Sequence, residues 1–387
     1  MKIKDRVVIQ IESVAFGGEG VGRLDNFVVF VPFAAPEDEL EIEIVQLKKK
    51  FARGKILQII KPSPTRVSPL CSYYENCGGC FYQHLKYEYQ LEIKKKQVEE
   101  VFRKIGKIAT PPVLDIIAAP KAYHYRGKAE LHSSMTASGC KIGFLDVSGG
   151  EIVDIEHCEI MEETINGKLR MLRQNKQQLR NKDARLTIWS GLSDDKTSIV
   201  SRIVKEKTFL VSQEGFFQAN LYLTDRLVDE VCRLAMSEKI NTLIDAYCGS
   251  GLFSIFLSPY AKSIVGIEIS ARSVKYARMN AANMDIRNVR FIQGKVENIL
   301  PNDFLSPKNE NNLILLDPPR TGCSESVLST IADLRPQKVI YISCNPATQA
   351  RDVNYLNEHG YMLLSILPID MFSQTGHIET IGLLTLR

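Results

Sequence analysis

Two groupings among the nine cysteines of this 387-residue chain could do chemistry. Cys71, Cys77 and Cys80 fall within ten residues, and Cys158, in EHCEI, could supply a fourth thiolate. Tetrahedral zinc usually draws a second close pair of ligands, whereas three near cysteines plus a distant fourth also suit an iron–sulfur cluster. Spacing favours iron–sulfur only modestly, with Gly78 and Gly79 leaving room for bulky sulfide. Cys344 is of another kind: it ends the apolar run VIYISC and opens the polar NPAT. A cysteine at a strand end is usually an inert, buried thiol. At the strand end where α/β sheets bind ligands, a reactive thiolate is expected instead.

Two other strand ends point to the same crest. Asp245-Ala-Tyr247-Cys248-Gly249-Ser250-Gly251 closes one apolar run and opens a helical one, and Asp317-Pro318-Pro319-Arg320 follows NLILL. Glycines in such a turn let backbone approach a nucleotide, and Glu268, ending IVGIEI, is placed to bind ribose hydroxyls. Ser254 stands where a third glycine would serve a dinucleotide, and no second mononucleotide half is evident, so a single adenosyl ligand fits better than NAD. A bare packing turn is the weaker reading.

These residues permit one demanding reaction if the adenosyl ligand carries a sulfonium methyl. C5 of uracil is a poor nucleophile, but adding sulfur to C6 makes C5 enolate-like and able to attack a sulfonium methyl. A base must then remove the C5 proton so that the sulfur can leave. Glu379, in GHIET, has the best case among the carboxylates for that role, although alone it reads as an ordinary strand-end residue.

The elements that must position these residues fall into three stretches: 1–60, 61–211 and 212–387. Residues 5–60 alternate in short strands with turns, as in a small barrel of the OB type, an oligonucleotide platform. Pro62, Pro64 and Pro69 mark a linker. The cysteine-rich segment and a charged helix from about Tyr87 to Ile105 follow, with Leu91, Val98, Val101, Phe102 and Ile105 near helical spacing. Residues 111–205 mix short strands with the helical MEETINGKLRMLRQNKQQLR and declare no fold. From 212 onward, Ile/Val-rich strands alternate with helices, the grammar of a doubly wound parallel sheet, closed by an antiparallel pair from YMLLSILPID and IETIGLLTLR.

Composition is that of an ordinary globular protein, 44% apolar and 24% charged. The start has no apolar signal region and no window reaches membrane-span length, so a cytoplasmic location is the default expectation. Reduced thiols fit it. The net charge of +4 lies wholly in residues 1–110, with 18 Lys/Arg against 14 Asp/Glu. Lys48, Lys49, Lys50, Arg53, Lys55, Lys61 and Arg66 occupy a stretch free of acids, which suits a phosphate backbone.

Together these motifs make the chain resemble the RNA 5-methyluridine methyltransferase family, in the branch that modifies 23S ribosomal RNA. The resemblance spans nearly the whole length: a TRAM domain over 5–60, CSYYENCGGC plus Cys158, then FFQAN, DAYCGSG, LLDPPR, SCNPAT and GHIET in the family's order. It implies a class I S-adenosylmethionine-dependent methyltransferase fold behind an OB-like barrel and a central iron–sulfur domain. It further implies a [4Fe-4S] cluster on Cys71, Cys77, Cys80 and Cys158, and S-adenosylmethionine contacts from Gln218, Tyr247, Glu268 and Asp317. Cys344 matches the family's nucleophile and Glu379 its proton acceptor. Leu252 replaces a frequent Asn, and Lys295 a frequent Asp or Asn, which puts cofactor contacts there in doubt. Three competing readings remain: a transfer-RNA T-loop substrate, an amino-group methyltransferase (disfavoured by Arg320 where such enzymes place an aromatic), and an inactive RNA-binding iron–sulfur protein.

Overall fold

The computed structural model describes residues 1–136, 139–174, 184–191, 193–194, 198–236, 239–301 and 311–387. Strands β1 (Arg6–Val14), β2 (Glu19–Leu24), β3 (Phe27–Pro32), β4 (Glu39–Leu47) and β5 (Phe51–Lys61) close into a barrel in the order β1-β2-β3-β5-β4. Period-two alternation drives it: Leu40, Ile42 and Ile44 of β4 point inward and are fully buried, while the intervening glutamates face outward. Two cations of the basic stretch are committed inside the fold. Arg53 pairs with Glu19 at 2.8 Å, and Arg66 with the fully buried Asp38 at 2.6 Å. Lys48, Lys49 and Lys50 stay exposed at the β4–β5 turn.

Helix α1 (Tyr87–Lys104) leaves the linker and runs under the sheet of the last part of the chain. Val98, Val101 and Phe102 are buried as the spacing predicts, and they join the core beneath that sheet. Leu91 is only half-buried and Ile105 is exposed, because polar Gln90, Lys94 and Gln97 take the rest of the buried face.

The stretch with no legible fold forms two small sheets. Strands β6 (Lys128–Thr136), β7 (Gly139–Leu145) and β8 (Ile152–Asp154), helix α2 (Glu163–Gln174) and strand β9 (Ala184–Trp189) make a four-stranded antiparallel sheet, ordered β8-β7-β6-β9, with α2 packed on its core. The end of the expected helix, 175–180, lies outside the described residues. Strands β10 (Ser193–Asp194), β11 (Ile199–Val204) and β12 (Lys207–Ser212) form a second sheet. Val200, Phe209 and Val211 share a core with the helices and strands that follow.

Those are α3 (Thr224–Ala235), β13 (Ile240–Ala246), α4 (Leu252–Leu257), β14 (Ala261–Glu268), α5 (Ala271–Asn283), β15 (Val289–Gln293), α6 (Val296–Ile299), β16 (Leu313–Leu316), α7 (Glu325–Leu334), β17 (Lys338–Ser343), α8 (Pro346–Glu358), β18 (Tyr361–Ile369) and β19 (Glu379–Leu386). They build a seven-stranded sheet of order β15-β14-β13-β16-β17-β19-β18, covered on both faces. The strand order reverses between β13 and β16, where such sheets open a ligand crevice. Among the described residues, no helix is long and apolar enough to cross a membrane.

The barrel touches the domain of the seven-stranded sheet directly. A Cβ built on Gly376 would sit 2.6 Å from the carbonyl oxygen of Gly17 in the β1–β2 turn, so position 376 cannot take a side chain without opening the contact, whereas a Cβ on Gly17 would meet nothing.

Candidate active site

The crest of the sheet gathers the strand-end residues by topology. Cys344 directly follows β17, Asp317 follows β16, Tyr247 follows β13 and Glu268 ends β14. Because β19 runs antiparallel to β17 with Ser343 opposite Thr380, its first residue, Glu379, arrives beside Cys344 from the far end of the chain.

Local sequence fixes Cys344. Asn345 caps α8, its side chain accepting from the Ala347 N–H at 3.1 Å, and Pro346 occupies the first turn. The Asn345 Nδ2 donates to the Arg320 carbonyl at 3.0 Å and Thr348 Oγ1 donates to the same oxygen at 3.2 Å, tying the Asp-Pro-Pro-Arg loop to the cysteine loop. Burial, together with the charges of Glu379 and Asp317, pushes the Cys344 thiol up to about 11. The Arg320 guanidinium opposes this by charge and by a hydrogen bond to the sulfur. Arg320 also donates to His377 Nε2 at 3.2 Å. Burial first, then the cations around it, draw His377 down to about 4 and keep it a neutral acceptor.

The remaining carboxylates form one acidic group. Glu379 is 4% exposed, and burial beside Asp317 raises its carboxyl well above the ordinary range. Loss of water pushes Asp317 and Asp245 each up to about 7, with repulsion from neighbouring carboxylates adding to it. Asp245 is fully buried: its Oδ2 accepts from the Ser254 N–H at 2.9 Å and Oγ–H at 2.5 Å, while Oδ1 has no partner. Ser254, standing where a glycine was sought, clamps Asp245. Buried acids with raised affinity for protons and one orphan oxygen make a pocket for a cation. Glu268 accepts from the Gly249 N–H at 3.1 Å and the Ser270 N–H at 2.7 Å. Gly251 caps α4 at φ +85°, where a Cβ would press on Phe291 at 3.0 Å.

The other sequence candidates sit farther out. Tyr247, at φ +67°, lines a cavity of about 610 Å³ with Pro319, Cys323 and Asp352, and its hydroxyl meets the Cys323 thiol. Gln218 is buried in the segment that Asn220 Nδ2 ties to the Met371 carbonyl at 3.0 Å. Asp245, Arg320 and His377 stand within motifs that the sequence marked out, but none of the three was assigned a role. The one available signal was that each adjoins a recognised motif residue.

The four cysteines Cys71, Cys77, Cys80 and Cys158 line a single cavity of about 260 Å³. Burial raises all four thiols. Backbone N–H groups are already aimed at three of the sulfurs: Tyr73 and Tyr74 at Cys71, Gly79 at Cys77, Ile160 and Met161 at Cys158. The Gln83 side chain serves Cys80. Gly79 does leave space beside the Cys77 sulfur, but Gly78 is small for another reason. A Cβ on it would strike the Asp146 carbonyl oxygen at 2.8 Å.

A doubly wound sheet of this order, with a glycine turn and an acidic crest, defines a class I methyltransferase fold. Residues 194–387 match the family model of tRNA (uracil-5-)-methyltransferases, and residues 5–57 match that of the TRAM domain. An uncharacterised RNA methyltransferase from Clostridium acetobutylicum is 32% identical over 97% of this chain and 96% of its own length. One from Halalkalibacterium halodurans is 31% identical over 99% and 97%. The crystal structure of a Pyrococcus abyssi tRNA (uracil-54, C5)-methyltransferase with S-adenosyl-L-homocysteine superposes with a TM-score of 0.73 at 24% identity, covering 98% of this chain and all of that one, and so shares its fold. The chain belongs to the RNA (uracil-5-)-methyltransferase family and is an RNA-modifying enzyme with a TRAM domain.

Proposed function

We propose that the protein methylates C5 of a uridine in 23S ribosomal RNA, with S-adenosylmethionine as donor and Cys344 as nucleophile. The observation that carries the chemistry is the crest itself, a thiol beside an arginine and a buried carboxylate, next to an acidic pocket; the choice of 23S ribosomal RNA rests on the resemblance of the sequence motifs. The donor brings an electrophilic methyl on a sulfonium. Asp245 and Asp317 suit the positive charge of such a ligand, Glu268 its ribose, and Gln218 and Tyr247 flank it.

Cys344, as thiolate, adds to C6 of the uracil, and the electron pair moves to C5 and O4. C5 then takes the methyl, leaving a neutral thioether behind on the spent donor. Glu379 accepts the C5 proton, the C5–C6 double bond re-forms and the thiolate leaves. Arg320 lowers the cost of carrying the thiolate, and the dipole at the start of α8 acts in the same direction.

The cysteine cavity fits a [4Fe-4S] cluster held by Cys71, Cys77, Cys80 and Cys158. Its volume is several times the roughly 30 Å³ share of one water, more than a single ion requires, and N–H donors to sulfur suit thiolate ligands. No step of methyl transfer calls on it, so its role is to tie the 71–80 segment to the Cys158 loop. In this reading residues 1–60 hold RNA, 61–211 carry the cluster, and 212–387 catalyse, in the cytoplasm.

Replacing Cys344 with Ala abolishes turnover and the adduct with RNA containing 5-fluorouridine, while donor binding persists. A fully active Cys344→Ala variant would end the reading. The Pyrococcus fold likeness gives a second reading its standing, a transfer-RNA T-loop uridine. Mapping 5-methyluridine in both RNAs of a deletion strain decides between them, because the missing methyl identifies the substrate.

A further inference from the structure

Against the wall of the thiol cavity, a second group of ligating side chains converges. His124, His157 and Glu163 each present a donor atom within 4.8 Å of the others. Glu159, which also lines the thiol cavity, stands alongside, its Oε2 lying 3.9 Å from His124 Nε2 and 3.6 Å from His157 Nε2. Glu163 Oε1 stands 3.2 Å from His124 Nδ1 and 3.7 Å from His157 Nε2. Each carboxylate is thus shared by both imidazoles, a crosswise arrangement.

The backbone holds these side chains together before any ion arrives. The His124 N–H donates to the Glu159 carbonyl at 2.9 Å and the Arg126 N–H to that of Ile160 at 2.9 Å, so the two segments run side by side. His124 takes the left-handed conformation, φ +52°, which is uncommon for a residue with a Cβ. Asn166 is fully buried: its Nδ2 donates to Glu163 Oε1 and to the Cys158 carbonyl, both at 3.2 Å, and its Oδ1 accepts from the Cys158 N–H at 3.0 Å. A buried amide orienting a carboxylate in this way is the supporting shell that metal ligands need.

We infer that His124, His157 and Glu163, with Glu159 alongside, form a binding site for a divalent cation of the zinc class, which adjoins the cysteine cavity through Glu159. Two neutral imidazoles and two carboxylates carry a charge of minus two, which such an ion balances, and imidazole selects zinc, cobalt or nickel over magnesium or calcium. Tetrahedral zinc with bonds of about 2.0–2.1 Å spaces its ligands about 3.3 Å apart, close to the 3.2 Å and 3.7 Å that separate Glu163 from His124 Nδ1 and His157 Nε2. Bound there, the ion cross-links the strap at His124 to the start of α2 and brackets Cys158 from the outside.

The test uses the full chain as purified, with whatever metal its cysteines hold left in place. After dialysis against a mild chelator it is titrated with Co²⁺, then with Zn²⁺. One equivalent of Co²⁺ should bind with ligand-field bands and no thiolate-to-cobalt charge transfer, and Zn²⁺ should displace it. The double variant His124→Gln with His157→Gln should bind at least about 100-fold more weakly, while its cysteine-bound metal content stays unchanged. His157→Gln alone serves if the double variant folds poorly, the cysteine-bound metal reporting an intact fold. Absence of the extra equivalent, unaltered affinity in the variants, or a charge-transfer band would each overturn the assignment.

Discussion

Even with the Arg320 guanidinium pulling it down, the Cys344 thiol is pushed up to about 11 by burial and two carboxylates. Thiolate therefore accumulates as pH rises, and Glu379, also displaced upward, gains its base form in the same direction. The kcat/KM for RNA should climb from neutral into alkaline solution. In Arg320→Gln that limb should move to higher pH, each unit of displacement costing about tenfold at a fixed pH; an unmoved profile would remove Arg320 from this role. The acidic pair behaves differently. Asp245 and Asp317 titrate near 7 in the free protein, above the ordinary 3.8, so the folded state holds extra protons between those values. Their contribution to the stability of the free protein is complete below the ordinary value and lost as pH rises through about 7. A cationic donor reverses the preference and should bind more tightly above that range than below it. Asp317→Asn should raise the melting temperature of the free protein in mildly alkaline buffer while weakening donor binding at least tenfold, read by calorimetry. Cys344, Asp317 and Glu268 were legible because each directly ends an apolar run. Glu379 was not legible by itself, since only the antiparallel register of β19 brings it to the thiol.

At the level of elements, the loop from Asp370 to His377 delivers Glu379, and a buried polar network holds it. Lys94 Nζ donates to Asp370 Oδ1 at 2.5 Å with both side chains fully buried, Tyr87 donates to Oδ2 at 2.8 Å, and the Tyr125 hydroxyl reaches the Ser373 carbonyl at 2.9 Å. Lys94→Ala strands the Asp370 charge, which should destabilise the protein by about 3–5 kcal/mol. Asp370→Asn in the same chain should recover part of that loss, measured as the urea midpoint. Periodicity could not find this arrangement, because the buried face of α1 carries Gln90, Lys94 and Gln97 where an apolar stripe was sought. The middle sheet was hidden for a different reason. Its β6 and β9 are far apart along the chain, Lys128 pairing with Trp189, and no local pattern records such a partner.

On the scale of the whole molecule, the division into a basic leading part and a neutral remainder survives folding, in reduced form. Arg53 and Arg66 are engaged by Glu19 and Asp38; Lys55 and Lys61 stay exposed along β5, and the exposed Lys48, Lys49 and Lys50 remain to meet phosphate at the rim of the barrel. Changing all three to Ala should weaken RNA binding. It should also flatten the plot of log affinity against log salt, by about 0.7 for each phosphate no longer neutralised on single-stranded RNA. Donor affinity should not change. A slope equal to that of the unaltered enzyme would place the RNA elsewhere. The barrel itself was readable from turn spacing and alternation, but its seat was not. Nothing in a string of letters reveals that Gly17 rests against Gly376.

That close pass constrains how the protein can evolve. Position 376 has no room for a side chain while the first barrel turn keeps its course, so a chimera with a borrowed barrel must bring a turn that follows the same path, its Gly17 held by a φ of +103° rather than by contact. The two sites are thereby bound to change in step, although most of the chain lies between them.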